Sequence, residues 1–194
     1  MRENFNSAAL KSTGDYIIFF GDDDGILPGQ FKYLRRILEE HRPDGISWLK
    51  SSYIWPKDEF GSEFGGKRAG KIRFYGTRTF GTPVMYDPRD SFLDSLMKCN
   101  LKSFTSVTPN IYHGCVSRAF LEKNASERNV FFDSTIPDVN FRYRTIMLGG
   151  KFIHVNHPFS INGDSAVSNG RAHNGYSTND PRAKPADEFH QENE

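Results

Sequence analysis

The sequence is short of cysteine, and this shortage excludes two classes of protein. Its 194 residues include only two cysteines, Cys99 and Cys115. Two cysteines are too few for a disulfide scaffold, and their separation does not match a zinc motif. We therefore expect a cytoplasmic protein from a reducing compartment, with both thiols in the core.

Long apolar runs and net charge are also lacking. No segment approaches the roughly 20 apolar residues that cross a bilayer, and the polar N-terminus does not match a signal peptide, so we expect no integral membrane segment. The 25 basic and 24 acidic residues leave a formal net charge of +1. This balance provides no global field that would attract nucleic acid, and we expect no nucleic-acid partner.

The sequence does contain enough apolar and aromatic residues for a single globular domain. Hydrophobic residues make up 37% of the chain. An apolar run at 16–20 predicts a strand, an amphipathic stripe after Pro28 predicts a helix, and 45–49 predict the next strand, an order typical of α/β proteins. Two later helices are predicted from Pro88 and Pro137. The residues predicted to form the buried sides of these two helices are Phe92, Leu93, Leu96, Met97, Val139, Phe141, Tyr143, Ile146 and Met147.

Three consecutive carboxylates, Asp22, Asp23 and Asp24, follow the apolar run at 16–20. The run is typical of a strand buried on both faces, and open α/β sheets bind ligands at the carboxyl edge of their strands. In a chain that stays extended, alternation would put Asp22 and Asp24 on one side. Such carboxylates repel one another, and Mg²⁺ or Mn²⁺, which prefers oxygen ligands, would relieve the repulsion. The alternative is an acidic turn that caps the helix after Pro28.

Asp138 is a second candidate acid. It lies in the first turn of a predicted helix, where the helix dipole favours an ionised carboxylate. Such a carboxylate can act as a general base in a cleft, or it can simply pair with Arg142 one turn later.

Three further segments have both a functional and a structural interpretation. A basic and aromatic segment could hold a diphosphate or an anionic acceptor, or could be a solvated loop; its members are Phe64, Lys67, Arg68, Lys71, Arg73, Phe74, Tyr75, Arg78 and Phe80. His113, His154 or His157 could complete a metal site, although each is also compatible with a hydrogen-bonded position in the core or at its rim. The polar segment 158–165 could line a sugar or phosphate pocket, or be a loop.

Five motifs in a fixed order carry a resemblance to a known family. They are Ser-Thr-Gly-Asp-Tyr-Ile at 12–17, the acidic residues 22–24, Tyr-His-Gly at 112–114, Ser-Thr-Ile-Pro-Asp at 134–138, and the segment 158–170. Together they resemble glycosyltransferase family 2, which has the GT-A fold. The resemblance implies an α/β, GT-A-like (Rossmann-like) mixed sheet with helices on both faces, in a domain over residues 1–170. We expect residues 171–194, where apolar residues nearly vanish, to form a disordered polar tail.

The resemblance also implies a function. It implies metal-dependent, inverting transfer of a sugar from a nucleotide-sugar donor to a hydroxyl group on a carbohydrate, lipid-linked or protein acceptor. The cofactor would be Mn²⁺ or Mg²⁺, with Asp22 and Asp24 as metal ligands. Asp22, Asp23 and Asp24 together would bind the cation and diphosphate, and Asp138 would be the catalytic base.

Family members begin with an apolar strand and a nucleobase-binding acid that have no counterpart before Arg2, so we expect an N-terminally truncated, partial domain. Two other functions remain open. Residues 22–27 also resemble the nucleophile loop of haloacid-dehalogenase-like phosphatases, in which Asp22 would attack phosphorus and Asp24 would act as acid and base, although Ile26 replaces the usual threonine. The third hypothesis is a non-catalytic glycosyltransferase remnant that binds a carbohydrate or a protein partner.

Overall fold

The computed structural model describes residues 2–57, 65–75, 80–99, 109–125 and 130–166. The predictions made for Phe64, Arg78, residues 168–170 and the tail at 171–194 lie outside these residues. Within the described ranges, no helix is both long enough and apolar enough to cross a membrane.

The described part of the chain contains five α-helices, two short 3₁₀ helices (Pro28–Gln30 and Gly66–Arg68) and nine strands. The helices are α1 (Arg2–Lys11), α2 (Phe31–His41), α3 (Pro88–Met97), α4 (Arg118–Lys123) and α5 (Pro137–Leu148). The strands are β1 (Tyr16–Ile17), β2 (Gly25–Ile26), β3 (Gly45–Trp48), β4 (Ser51–Ile54), β5 (Ile72–Arg73), β6 (Val84–Tyr86), β7 (Gly114–Ser117), β8 (Phe152–Val155) and β9 (Ser160–Asp164).

The strands form two mixed sheets. The first has the order β1-β7-β3-β8-β6, and the second has the order β2-β9-β4-β5. β3 runs parallel to β8 and β4 runs parallel to β9, whereas the other pairs are antiparallel. The predicted mixed α/β fold is therefore confirmed. However, β7 lies between β1 and β3, so the predicted strand-helix-strand unit does not place its two strands side by side.

Apolar clusters cover both faces of the first sheet. Successive residues of one strand enter different clusters, because side chains alternate along a strand. Val116 packs in the cluster that includes residues of α1, α4 and α5, whereas its neighbour Cys115 packs in the cluster that includes residues of α2. Helices therefore lie on both faces of this sheet, as predicted. Cys115 is buried as expected, but Cys99 is exposed just after α3, so its predicted core position is wrong.

β1 is shorter and less central than the sequence predicts. It pairs only with β7 and forms the edge of the described sheet. Tyr16 is half-buried and Phe20 is exposed, so the run is not buried on both faces. An apolar run predicts a strand but does not reveal the strand's neighbours, and for this reason the prediction placed it too centrally.

The predicted buried sides of α3 and α5 are partly wrong. On α5, Phe141 and Ile146 are buried as predicted. The predicted core residues that are exposed instead are Leu93, Leu96, Met97, Val139, Tyr143 and Met147. α5 has two stripes of residues with the same helical spacing, one at 139, 143 and 147 and the other at 141 and 145. Periodicity alone does not show which stripe is buried.

Asp87 is the N-cap residue of α3, which begins at Pro88 as predicted. Its Oδ1 accepts hydrogen bonds from the backbone N–H groups of Arg89 at 2.7 Å and Asp90 at 3.4 Å. Its Oδ2 accepts a hydrogen bond at 2.8 Å from the backbone N–H of Gly150, in the turn after α5. One carboxylate therefore caps α3 and joins it to the end of α5.

We expect Asp87→Ala to lower the free energy of unfolding by about 1–2 kcal/mol, because three backbone donors lose their acceptor. Burial acts to raise the pKa of Asp87, but the hydrogen bonds from Gly150, Arg89 and Asp90 outweigh it and lower this pKa below its ordinary value of 3.8. The stabilisation is thus present above pH 3.8 and is lost as the pH falls through the folded-state pKa. Urea unfolding, measured above and below the folded-state pKa of Asp87, gives the free energy of unfolding of both proteins. We expect the difference between wild type and Asp87→Ala to shrink as the pH falls. A difference that does not change with pH would contradict this role of Asp87.

Candidate active site

Hydrogen bonds hold Asp24 in a tight turn against β9. Its Oδ2 accepts a hydrogen bond from the backbone N–H of Gly21 at 3.0 Å, and its Oδ1 accepts one from the backbone N–H of Gly163 at 2.9 Å. The backbone N–H of Asp24 donates to the carbonyl of Gly21 at 3.3 Å. Residues 21–24, called the acidic turn below, are therefore not an extended strand, and the predicted alternation of side chains is not found.

Asp23 fixes the acidic turn on its other side. Its Oδ2 accepts hydrogen bonds from Ser165 Oγ at 3.2 Å and from the Ser165 backbone N–H at 3.4 Å, and its carbonyl accepts one from the Trp55 indole N–H at 3.2 Å. Burial raises the pKa of Asp23, and the charges of Asp24 and Asp22 raise it further, although the hydrogen bonds from Ser165 lower it. The turn therefore carries negative charge that a cation would stabilise.

A buried hydrogen-bond chain leads from Trp48 through Ser160 to His113, which lies beside Asp24. The Trp48 indole N–H donates to Ser160 Oγ at 2.8 Å, and Ser160 Oγ lies 2.8 Å from His113 Nδ1. Because Ser160 Oγ already accepts from Trp48, its own hydrogen is available to Nδ1, which favours the tautomer with the proton on His113 Nε2. His113 Nε2 lies 3.6 Å from Asp24 Oδ1. Burial lowers the pKa of His113 despite the nearby Asp24, so the ring is neutral at pH 7 and the contact is not an ion pair.

Asp138 lies in the same cavity as the acidic turn. It occupies the first turn of α5, directly after Pro137. The cavity has a volume of about 540 Å³ and is lined by Gly21, Asp22, Asp23, Asp24, Lys50, Asn110, Tyr112, His113, Asp138, Arg142, Asn162, Gly163 and Ser165. The structure therefore brings together all four carboxylates that the sequence analysis selected. Asp138 and Arg142 form no ion pair with each other.

Tyr112 lies within electrostatic range of both Asp138 and the acidic turn. Burial raises the pKa of Tyr112 to about 12, and the charges of Asp138 and of the acidic turn contribute to the rise. Asp138 and the acidic turn both disfavour a negative charge on the Tyr112 hydroxyl. The two groups therefore converge around this side chain.

Lys50 lines the cavity as well, and the sequence analysis missed it. Its Nζ donates a hydrogen bond to Asn162 Oδ1 at 2.7 Å. Lys50 comes two residues after the end of β3, at the carboxyl edge of the first sheet. Because ligands of open α/β sheets bind at that edge, the position of Lys50 was a signal that the sequence contained.

A second cavity of about 750 Å³ adjoins the first. Six residues line both cavities: Lys50, Asn110, Tyr112, His113, Arg142 and Asn162. Arg68 and Tyr75, from the predicted basic and aromatic segment, line the second cavity but not the first. Lys67, Lys71 and Arg73 surround a smaller cavity of about 290 Å³, which Arg68 and Tyr75 also border. These five residues therefore form cavity walls, whereas Phe74 and Phe80 of the same segment are exposed and line none of these cavities.

The other sequence candidates have varied surroundings. Ser47 Oγ lies 3.0 Å from His154 Nδ1 at the wall of the second cavity, whereas His157 is buried and its Nε2 lies 2.9 Å from Gln30 Oε1. Of the three histidines, His113 is the one in contact with the acidic turn. The segment 158–165 is not a loop, because its residues 160–164 form β9 between β2 and β4.

The carboxylates fit a hard divalent cation that also binds a substrate. Asp22 is exposed toward the cavity, and each carboxylate oxygen of Asp24 accepts one backbone hydrogen bond and retains a further lone pair. Within the described ranges, no cluster of three or more His, Cys, Asp or Glu side chains could hold a metal alone. Magnesium sites commonly use one or two carboxylates together with substrate phosphates, and the acidic turn matches that pattern.

The architecture is a glycosyltransferase-like fold. The structure of S. aureus TarS 1-349 in complex with UDP-GlcNAc is similar to this chain with a TM-score of 0.50 and 15% identity, over 96% of this chain and 45% of that chain. A further structure of S. aureus TarS is similar with a TM-score of 0.49 and 15% identity, over 96% of this chain and 30% of that chain. The chain thus spans less than half the length of these TarS structures. No protein-family model and no curated protein sequence matches the chain.

Proposed function

We propose that this chain is a glycosyltransferase domain, which transfers a sugar from a nucleoside diphosphate to a hydroxyl group of an acceptor. The observation that carries the proposal is the convergence of the acidic turn and Asp138 on one cavity. The glycosyltransferase-like fold supports it, as does the UDP-GlcNAc complex of TarS, which makes a UDP-sugar the first donor to test.

The acidic turn is the proposed donor site. Asp24 and Asp22 would hold Mn²⁺ or Mg²⁺, which would neutralise the charge that develops on the departing diphosphate. Asp23 would act mainly through the shape of the turn, since its side chain binds Ser165. Lys50 adds a positive charge to the same cavity.

Asp138 is the proposed general base. The acceptor oxygen forms a bond to the anomeric carbon, and the bond from that carbon to the diphosphate oxygen breaks with its electron pair leaving on the diphosphate. Asp138 takes the proton from the attacking hydroxyl. Attack opposite the leaving group inverts the configuration of the anomeric carbon. Asp138 lies in the first turn of α5 and lines the same cavity as the acidic turn, as this role requires.

Turnover tests the proposal. Wild-type protein is incubated with Mn²⁺, hydroxyl acceptors and a set of UDP-, GDP- and dTDP-sugars. We expect it to release one nucleoside diphosphate. We expect chelation of the metal to stop the release, and Asp24→Asn to slow it by at least about 100-fold. Asp90→Asn, at the start of α3 outside the cavity, is the matched control. Folded protein that releases no nucleotide from any donor would favour the non-catalytic alternative.

The phosphatase hypothesis has less structural support. Asp22 follows an edge strand with an antiparallel neighbour, and the described residues contain no second acidic cluster that could hold magnesium beside it. Hydrolysis of p-nitrophenyl phosphate that is lost in Asp22→Asn would reverse this preference.

A further inference from the structure

The second cavity differs from the first in charge. The acidic turn and Asp138 line the first cavity only, Lys50 and Arg142 line both cavities, and Arg68 lines the second cavity but not the first. Among the described lining residues of the second cavity, Asp164 is the single carboxylate. Arg68 also borders the smaller outer cavity, whose charged lining residues are all basic. Positive charge therefore extends from the edge of the first cavity toward the surface.

Lys50 and Arg142, the two cations shared by both cavities, have no carboxylate partner of their own in the described part of the chain. Arg142 Nε is buried and has no hydrogen-bond partner there. Lys50 Nζ donates to Asn162, a neutral side chain. Burial lowers the pKa of Lys50, and the charge of Arg142 lowers it further, while Asp24 and Tyr75 raise it. Like charges that lie close together in a partly buried site are stabilised by a bound anion.

We infer that the second cavity binds a negatively charged group, a phosphate or a carboxylate, carried by the acceptor beside the hydroxyl that attacks the sugar. The inference rests on the proposed glycosyl transfer, in which the donor diphosphate lies at the acidic turn. Arg142 follows Asp138 by one helical turn on α5, so the two side chains lie on the same face of the helix. An acceptor anion bound at Arg142 would therefore hold a neighbouring hydroxyl near Asp138, the proposed base.

Glucose 6-phosphate and glucose serve as charged and uncharged probes of this cavity. Their affinities are measured by calorimetry on protein saturated with UDP and Mn²⁺, so that the donor site is filled. We expect the phosphate to improve affinity by about tenfold or more, with an advantage that shrinks at high salt. Arg68→Gln should remove most of this advantage, because Arg68 lines the second cavity but not the first. Arg35→Gln, which removes the same charge from the exposed surface of α2, should not change it.

Equal affinity for the two probes, or an unchanged preference in Arg68→Gln, would overturn the inference. Lys50→Gln and Arg142→Gln test whether these two charges bind the anion of the acceptor or the diphosphate of the donor. If they weaken UDP binding but leave the preference for glucose 6-phosphate intact, these charges serve the donor diphosphate, and the inference fails while the proposed function stands. If UDP does not bind the folded wild type, the proposed function fails. The affinities for glucose 6-phosphate and glucose are then compared without nucleotide. A retained preference for the phosphate supports the anion site, and loss of this preference overturns the inference.

Discussion

Asp138→Asn should lower the rate of sugar transfer by about 10²- to 10⁴-fold and leave UDP affinity unchanged. Asparagine matches the shape of aspartate but does not accept the proton from the acceptor hydroxyl. The acidic turn is held by Gly21, Gly163 and Ser165 rather than by Asp138, so the donor site should keep its geometry. Initial rates of nucleoside diphosphate release, measured beside calorimetric titration with UDP and Mn²⁺, separate these two effects.

Asp90→Asn is the matched control for Asp138→Asn. Asp90 also lies in the first turn of a helix that begins with proline, so this variant loses a similar interaction with a helix dipole, but Asp90 lies outside the cavity. We expect it to keep wild-type rates. A similar loss of rate in both variants would indicate a stability effect, and a full rate in Asp138→Asn would exclude Asp138 as the base.

Gly163→Ala should displace the acidic turn and weaken Mn²⁺-dependent UDP binding by at least about tenfold, with a loss of about 1–3 kcal/mol in the free energy of unfolding. A Cβ atom at Gly163 would lie 1.7 Å from the carbonyl oxygen of Asp23 and 3.1 Å from the backbone nitrogen of Asp24. Both contacts are with backbone, which has no rotamer that moves aside. The hydrogen bond from Gly163 to Asp24 would be lost as the turn shifts. Calorimetry and urea unfolding measure the two effects.

Gly29→Ala controls for the added methyl group. A Cβ atom at Gly29 would meet no atom within 4 Å. We expect this variant to bind UDP and to unfold like wild type. Wild-type nucleotide binding by Gly163→Ala would show that close packing of the acidic turn on β9 is not needed for the donor site.

Local sequence signals predicted α2 and the starts of α3 and α5 at Pro88 and Pro137. Asp87 before Pro88 and Ser117 before α4 are N-cap residues whose side chains accept backbone hydrogen bonds in the structure. The stripe on α2 is also confirmed, with Leu34 and Ile37 buried. These features depend on residues within one or two turns of each other, so the sequence contains the information directly.

Long-range features were harder to predict. β9 has the sequence Ser-Ile-Asn-Gly-Asp, which resembles a loop because its polar residues serve the cavities. It is a strand because β2 and β4 pair with it on either side. Gly163 illustrates the same point: its lack of a side chain is explained by the backbone of Asp23, which is distant in sequence.

The candidate site was predicted in part. Asp22, Asp23, Asp24 and Asp138 were selected from local patterns and the resemblance, and they do line one cavity. Lys50 was not selected, although its place just after a predicted strand was a signal that the sequence contained. The second cavity was not predicted either, since its walls come from segments far apart in the chain that only the fold brings together.

Calorimetric titration of UDP, GDP and dTDP, with and without Mn²⁺, into wild type and Asp24→Asn tests the proposed donor site most directly. We expect one nucleotide to bind only with Mn²⁺, and Asp24→Asn to weaken that binding by about 100-fold while remaining folded. Binding that is independent of Mn²⁺, or that is equally strong in Asp24→Asn, would contradict a donor site built on the acidic turn.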